Sequence, residues 1–362
     1  MKGEENMDFG LCVASQISDI EYVVEAEKLG FTDAWFGDSQ MIWSDCYASL
    51  ALAAEKTKVI NLGTGVAIAG TRAASVHAAG IATINQIAPG RTFFGVGAGN
   101  TAMRIMGLPP LKIKEFKKFL QEVKPLLSGK ESIMERSKKL IPIKHIMQKE
   151  GFVNFNDYIP LHVSGFGPKS LALAGEFGDG AIISMPPNVS YMEAYWAMIQ
   201  EGINLSQKNI NKDNFTITAL TAITILNKDE KVDSGRVKKE CGPMAMAAIH
   251  YAYEQWRNFG HSPPDVYKDI WSDYTSMLKL FPQEKIHQRI HEGHNCWVLA
   301  EEEKFLTPEI LKSTCLIGTQ DYLIEHLKEL QSFGLDKLMI LPGLDSRYEV
   351  LKKVSKDLIG NI

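Results

Sequence analysis

The chain has 362 residues, 45% of them hydrophobic and 23% charged, with a formal net charge of −4. That composition belongs to a soluble globular protein with one large core or two smaller ones, and it excludes a broad basic surface for nucleic acid or anionic membrane. Five cysteines (Cys12, Cys46, Cys241, Cys296 and Cys315) stand far apart with no C-x-x-C pair, which excludes a zinc ribbon or a disulfide framework and fits a reducing compartment. The start, MKGEENMDFG, is polar and acidic, and no apolar run is long enough for a bilayer. A cytoplasmic protein is expected.

Apolar runs alternate with amphipathic stretches. Phe9–Ala14 reads as a strand. Asp19–Leu29 has apolar residues at helical spacing, and Gly30 closes it as a C-terminal cap. Ala34–Phe36 is a second strand, ending at Gly37-Asp38, and Cys46–Ala54 a second helix. Val59–Ile68 is a third strand interrupted by Gly63 and Gly65, followed by an Ala-rich helix, Ala73–Ile87. A fourth strand, Phe93–Val96, runs into Gly95, Gly97 and Gly99, and Asn100-Thr101 opens a helical turn that Pro109-Pro110 stops. Helix Lys112–Leu127 comes next. Residues 128–158 are polar and mixed, an insertion expected to hold a helical piece.

The alternation resumes with strand Leu161–Ser164, the turn Gly165-Phe166-Gly167-Pro168 and helix Lys169–Phe177. Ala181–Ser184 is strand six, and Ser190–Leu205 a helix. Phe215–Leu226 alternates throughout and reads as one strand, the seventh. Residues 229–305 are rich in helix formers, aromatics and histidines and read as an inserted helical segment. Thr319 caps a helix to Phe333, Leu338–Leu341 is strand eight and Ser346–Ile359 the last helix.

Eight strand–helix units predict an α/β fold, a (β/α)8 TIM-type barrel in a single domain with a helical insertion after strand seven. An open doubly wound sheet is the alternative. In a barrel the loops after each strand share one face. These are Asp38–Asp45, Ala67–Arg72, Gly97–Asn100, Ser164–Lys169, Met185–Pro187 and Pro342–Arg347. Two glycine-rich turns therefore meet there. Glycine lets a ligand approach the backbone closely, and free N–H groups at a helix start suit an anion. Gly97-x-Gly99-x-x-Ala102 also fits a relaxed dinucleotide fingerprint, but three strands precede it and no strand ending in an acidic residue follows.

Several other groups are candidates. His287 and His291 are spaced i, i+4, which puts them on one face of a helix, beside Glu292 and His294. They could be a metal-binding pair, a substrate-facing lid or a solvated face, and His291 is taken as a catalytic candidate. His162 on strand five reads as a buried, hydrogen-bonded structural residue. Trp43, Tyr251, Tyr253, Trp256 and Trp271 line a pocket or, as such spacing usually does, a core. No Ser-His-Asp order, Walker loop or zinc cluster is present.

The runs LALAAEKTKVINLGTGVAIAG, TINQIAPGRTFFGVGAGNTAMRIMGLPP and LHVSGFGPKSLALAGEFGDGAIIS, with the late LIGT and LMILPGLDSRY, resemble the bacterial-luciferase-like superfamily. That superfamily holds flavin-dependent monooxygenases and deazaflavin-dependent reductases such as methylenetetrahydromethanopterin reductase. The resemblance implies a cofactor ring at the C-terminal mouth of the barrel and a bulged third strand with a non-prolyl cis peptide at Gly65-Val66. It places Gly65, Val66, Ala67, Gly97, Ala98, Gly99 and Asn100 around the ring or its ribityl chain. It places the phosphate at Ser164, Gly165, Phe166 and Gly167, where a plain strand-to-helix turn is the other reading.

One departure stands out. Luciferase proper has a histidine after strand two, where this chain has Gly37-Asp38-Ser39-Gln40. The segment is closer to the Asp-containing loop of the deazaflavin reductases. Asp38 is the candidate polar site group, or a loop residue capping its turn. The resemblance implies reduced FMN and O2 acting on a small organic substrate, with a separate flavin reductase as a candidate electron source. Its alternative is hydride transfer with the deazaflavin coenzyme F-420. A flavin-binding protein without turnover, and a lyase or isomerase holding a phosphorylated substrate, are the remaining rivals. The family also implies a homodimer.

Overall fold

The computed structural model describes residues 6–206, 210–211 and 213–362. In chain order its strands are β1 (Asp8–Val13), β2 (Asp33–Phe36), β3 (Asn61–Ile68), β4 (Thr92–Gly97), β5 (Ser132–Arg136), β6 (Lys139–Ile143), β7 (Leu161–Ser164), β8 (Gly180–Ser184), β9 (Thr216–Thr221), β10 (Ile223–Ile225), β11 (Leu316–Gly318) and β12 (Lys337–Ile340). Eight of them close a parallel barrel in the order β1-β2-β3-β4-β7-β8-β9-β12. The expected barrel is what forms. No helix among the described residues is long and apolar enough to cross a membrane.

Strand alternation decides what fills the barrel. Trp35, Phe93, Cys12, Ile182, Met339 and Leu341 cluster in the interior. Their sequence neighbours Ala34, Phe36 and Phe94 join the outer core, beneath the helices. Trp35 and Phe93 lie 4.2 Å apart, and His162 stands edge-on to both at 5.3 and 5.7 Å. His162 is therefore buried, as expected, but its Nδ1 has no hydrogen-bond partner. Burial pushes its pKa down to about 4. At the N-terminal end of the barrel, Lys337 Nζ reaches Asp33 at 2.9 Å and Asp8 at 3.1 Å. Burial works against this ammonium, but the two carboxylates outweigh it and hold its pKa above the ordinary value.

The helices are α1 (Glu21–Lys28), α2 (Cys46–Lys56), α3 (Ala74–Ile87), α4 (Asn100–Arg104), α5 (Ile113–Leu126), α6 (Pro168–Phe177), α7 (Val189–Ser206), α8 (Gly235–Phe259), α9 (Lys268–Leu278), α10 (Ile286–Arg289), α11 (Pro308–Thr314), α12 (Gln320–Ser332) and α13 (Arg347–Asp357). Thr319 caps α12 by accepting from the Tyr322 N–H. Helices α8, α9 and α11 pack around Ile249, Tyr253, Tyr274, Leu278 and Ile310, a core separate from that of the barrel. Within it the buried Glu302 carboxylate accepts from Arg289 at 3.0 Å and sits 3.1 Å from His250 Nε2.

Three elements differ from the sequence reading. The insertion expected to be partly helical is a β-hairpin, β5–β6, followed by one 3-10 turn at Gln148–Glu150. The run read as strand seven breaks at Ala222. β9 stays in the barrel, while β10 leaves to pair with β11 outside it. Helix α11 and the three-residue β11 had no counterpart in that reading.

Candidate active site at the barrel mouth

The floor of the mouth is built by β3, β4 and β7. The register of β3 against β4 shifts between Thr64 and Ala67, and the Gly65–Val66 peptide is cis. Gly65 and Val66 are half-buried, flanked by the buried Thr64 and Ala67. Beside them, β4 ends at Gly97. A Cβ on Gly97 would lie 3.0 Å from Val66 Cγ2 and 3.5 Å from Ser164 Cβ. The structure thus brings the bulge, the first glycine turn and the second glycine turn into one patch.

Each turn has a local cause. Gly99 has φ +91°, which its missing Cβ permits, and it precedes α4. A side chain there would also strike Ile68 and Met103. Ala98 and Asn100 remain half-buried around it. At the second turn, Gly165 N–H donates to Ile182 O at 3.1 Å, continuing the β8 pairing. Ser170 closes the start of α6 by bonding Gly167, and Pro168 occupies the first helical position. Phe166 is exposed, and a Cβ on Gly167 would meet nothing within 4 Å. The N-terminus of α6 therefore opens on free space next to Ser164.

Asp38 is buried, and its carboxylate is taken up by Arg72. Arg72 also reaches Asp45 at 2.7 Å and lies over the Tyr47 ring. Asp45 in turn caps α2 by accepting from the Tyr47 and Ala48 N–H groups at 3.0 Å. Asp38 thus fastens the loop after β2 to the loop after β3 and does not present a free carboxylate.

The mouth is covered by the segment that follows α10. His294 Nε2 lies 3.3 Å from Thr101 Oγ1, one residue beyond the first glycine turn. The Trp43 indole N–H points to Cys296 Sγ at 3.4 Å, and Leu344 N–H donates to Cys296 O at 2.8 Å. A cavity of about 240 Å³ between them is lined by Ala14, Ser15, Trp43, Ser44, His294 and Trp297 among others. His291 is buried, and its Nδ1 donates to His287 O at 2.6 Å. Burial pushes the His291 pKa down to about 4, and burial together with the neighbouring His291 ring pushes His294 well below its ordinary value. Both rings are neutral at neutral pH. No group of three His, Cys, Asp or Glu among the described residues could hold a metal.

Sequence reasoning placed His294 in the same group but took His291 as the catalytic candidate, whereas of the two it is His294 that bonds the glycine-turn segment. Nothing local marks that contact, because 193 positions separate its two residues.

A family model of luciferase-like monooxygenases matches residues 16–337. The chain belongs to the luciferase-like monooxygenase family. Over 352 residues it is 27% identical to 5,10-methylenetetrahydromethanopterin reductase of Archaeoglobus fulgidus, covering 95% of this chain and 96% of the relative. The fold matches coenzyme F-420-dependent tetrahydromethanopterin reductase of Methanopyrus kandleri with a TM-score of 0.69 at 19% identity, over 98% of this chain and 99% of the other. It also matches the oxygenating constituent of 3,6-diketocamphane monooxygenase of Pseudomonas putida, which holds FMN, with a TM-score of 0.64 at 16% identity over 98% of both chains. The chain is an enzyme of this oxidoreductase family.

Proposed function

We propose that the chain is a deazaflavin-dependent oxidoreductase that moves a hydride between coenzyme F-420 and a small organic substrate. The observation that carries this reading is the end-to-end similarity to a methylenetetrahydromethanopterin reductase, 96% of whose length is matched. The loop after β2 agrees with it, since Asp38 there is bound to Arg72 and no histidine is present.

The residues at the mouth fit a planar, polar-edged cofactor. Gln40 and His294, which bond Ala102 and Thr101 beyond the first glycine turn, and Asn295 next to His294 in sequence leave Oε1, Nδ1 and Oδ1 buried without hydrogen-bond partners. Such groups are costly unless something satisfies them. Gly97 leaves the floor bare between Val66 and Ser164. The coenzyme supplies the hydride chemistry, and the protein binds, orients and excludes water. Gly65, Val66, Ala67 and Gly97–Asn100 form the floor under the ring. Ser164, Gly165, Phe166 and Gly167 at the start of α6 take the phosphate through the Ser164 hydroxyl and the Phe166 N–H, since the Gly165 and Gly167 N–H groups already donate to Ile182 O and Ser170 Oγ. Neutral His294 holds or accepts a proton at Nδ1 beside the substrate cavity. His291 and Asp38 act as positioning residues.

Reduced FMN with O2 is the rival reading, in keeping with the monooxygenases of the family. Anaerobic titration of the purified protein with each cofactor, followed by an oxygen-uptake assay with substrate in air-saturated buffer, separates the two. Binding of coenzyme F-420 with no substrate-dependent oxygen uptake is the expected result. Binding of FMN with substrate-dependent oxygen uptake overturns the proposal.

A further inference from the structure

Helix α4 carries a second functional-looking side chain, Arg104, three residues after Thr101 and on the same face. Its side chain is 5% exposed. Its Nη1 lies 3.2 Å from Glu254 Oε2 on α8, in a single-point contact. Its Nε and Nη1 are sealed from solvent and make no hydrogen bond. The rings of Tyr251 and Phe259 flank the guanidinium at 5.5 and 6.0 Å.

A cavity of about 450 Å³ opens beside it, between the turn containing Gly107 and Pro110 and helices α8 and α10. That is large enough for a small organic ligand. Leu108, Pro109 and Ile286 give it an apolar wall, and Arg257 and His287 also line it. A buried guanidinium is a planar fork whose matching partner is a bidentate carboxylate. Glu254 does not supply that match. Burial raises its pKa to about 7 against the opposing pull of Arg104 and Arg257, so at neutral pH it is only partly ionised.

We propose that this cavity is a binding site for a small monocarboxylate with an apolar body. The carboxylate sits on Arg104, the body lies against Leu108, Pro109 and Ile286, and Glu254 takes up a proton to donate a hydrogen bond to the ligand. The titratable groups around Glu254 are Arg104 from α4, Arg257 from α8, Tyr274 from α9, and Glu284 and His287 beside the cavity.

The test is calorimetric titration of the full chain with benzoate between pH 6 and 8.5. One benzoate should bind per chain, with an affinity that is flat below about pH 7 and falls about tenfold per pH unit above it, because one proton enters with the ligand. Glu254→Gln keeps the donor at every pH. Its affinity should be independent of pH and at least tenfold above that of the unmodified protein at pH 8.5. Arg104→Gln should weaken benzoate at least tenfold. Should Arg104→Gln fail to fold, Glu254→Gln still decides. No benzoate binding at millimolar concentration overturns the proposal, as does a pH dependence unchanged in Glu254→Gln. Tighter binding of inorganic phosphate than of benzoate overturns the assigned ligand class.

Discussion

Thr101 Oγ1 and His294 Nε2 lie 3.3 Å apart and join the first glycine turn to the segment covering the barrel mouth. His294 Nδ1 has no partner, so this is the ring's one hydrogen bond among the described residues. Thr101→Val keeps the shape of the side chain and deletes the bond. It should cost about 1–3 kcal/mol in denaturant unfolding, the usual penalty for orphaning a buried polar group. Thr101→Ser should restore most of the loss. Equal stability of the Val and Ser variants would show that the contact holds nothing together.

Asp38 offers a sharper choice between roles. A general base at that position would make Asp38→Asn inactive at every pH, with stability little changed. The buried pair with Arg72 predicts the reverse. Removing the charge leaves Arg72 dependent on the half-exposed Asp45. Stability should drop by about 2–4 kcal/mol, near the cost of breaking a buried pair. Turnover measured well below the new melting temperature should fall by less than about tenfold, an effect of roughly 1.4 kcal/mol.

Much of this arrangement could be read in the sequence, and the reasons for the failures are physical. Phe93 and Phe94 face opposite sides of β4 because strand period is two, so the barrel strands and their burial were legible. The β5–β6 hairpin was not. Its two-residue turn is Ser137-Lys138, both at positive φ, where Asn-Gly or Asp-Gly is the usual signal. The break at Ala222 was hidden because alternation continues through it. What moves β10 out of the barrel is pairing with β11, more than 90 residues later. The glycine turns were visible as sequence, and barrel topology alone put them on one face. The contact of His294 with Thr101 depends on how an inserted segment folds back, and no local pattern encodes that.

Stability should also fall on mild acidification, and the buried histidines set the window. Burial lowers the pKa of His77, His162 and His291 to about 4 each. In the unfolded chain each titrates near 6.5. Between these values the unfolded state binds more protons than the folded state, so unfolding free energy decreases as pH falls. The full benefit is present above about pH 6.5, and each histidine removes about 1.4 kcal/mol per pH unit across the window. Urea unfolding at pH 7.5, 6 and 5 measures the slope. A flat profile over that range would show that these rings are charged, or solvated, in the folded protein.

Gly97 gives the most direct test of the floor. Its φ is not in the left-handed region, so alanine introduces no backbone strain there. The added methyl would stand 3.0 Å from Val66 Cγ2 and 3.5 Å from Ser164 Cβ, a tight but adjustable fit. Folding should therefore survive, with a loss of no more than about 1–2 kcal/mol. The same methyl would project from the patch on which the ring is proposed to rest. A displacement of even a fraction of an ångström there separates the ring from one or both glycine turns. Gly97→Ala should weaken binding of the deazaflavin coenzyme at least tenfold, measured by quenching of its fluorescence. Gly235→Ala at the start of α8, where a Cβ also meets nothing within 4 Å, is the matched control outside the proposed cofactor site and should leave affinity unchanged. Equal losses in the two variants, or none in Gly97→Ala, would place the ring elsewhere than on the patch between Val66 and Ser164.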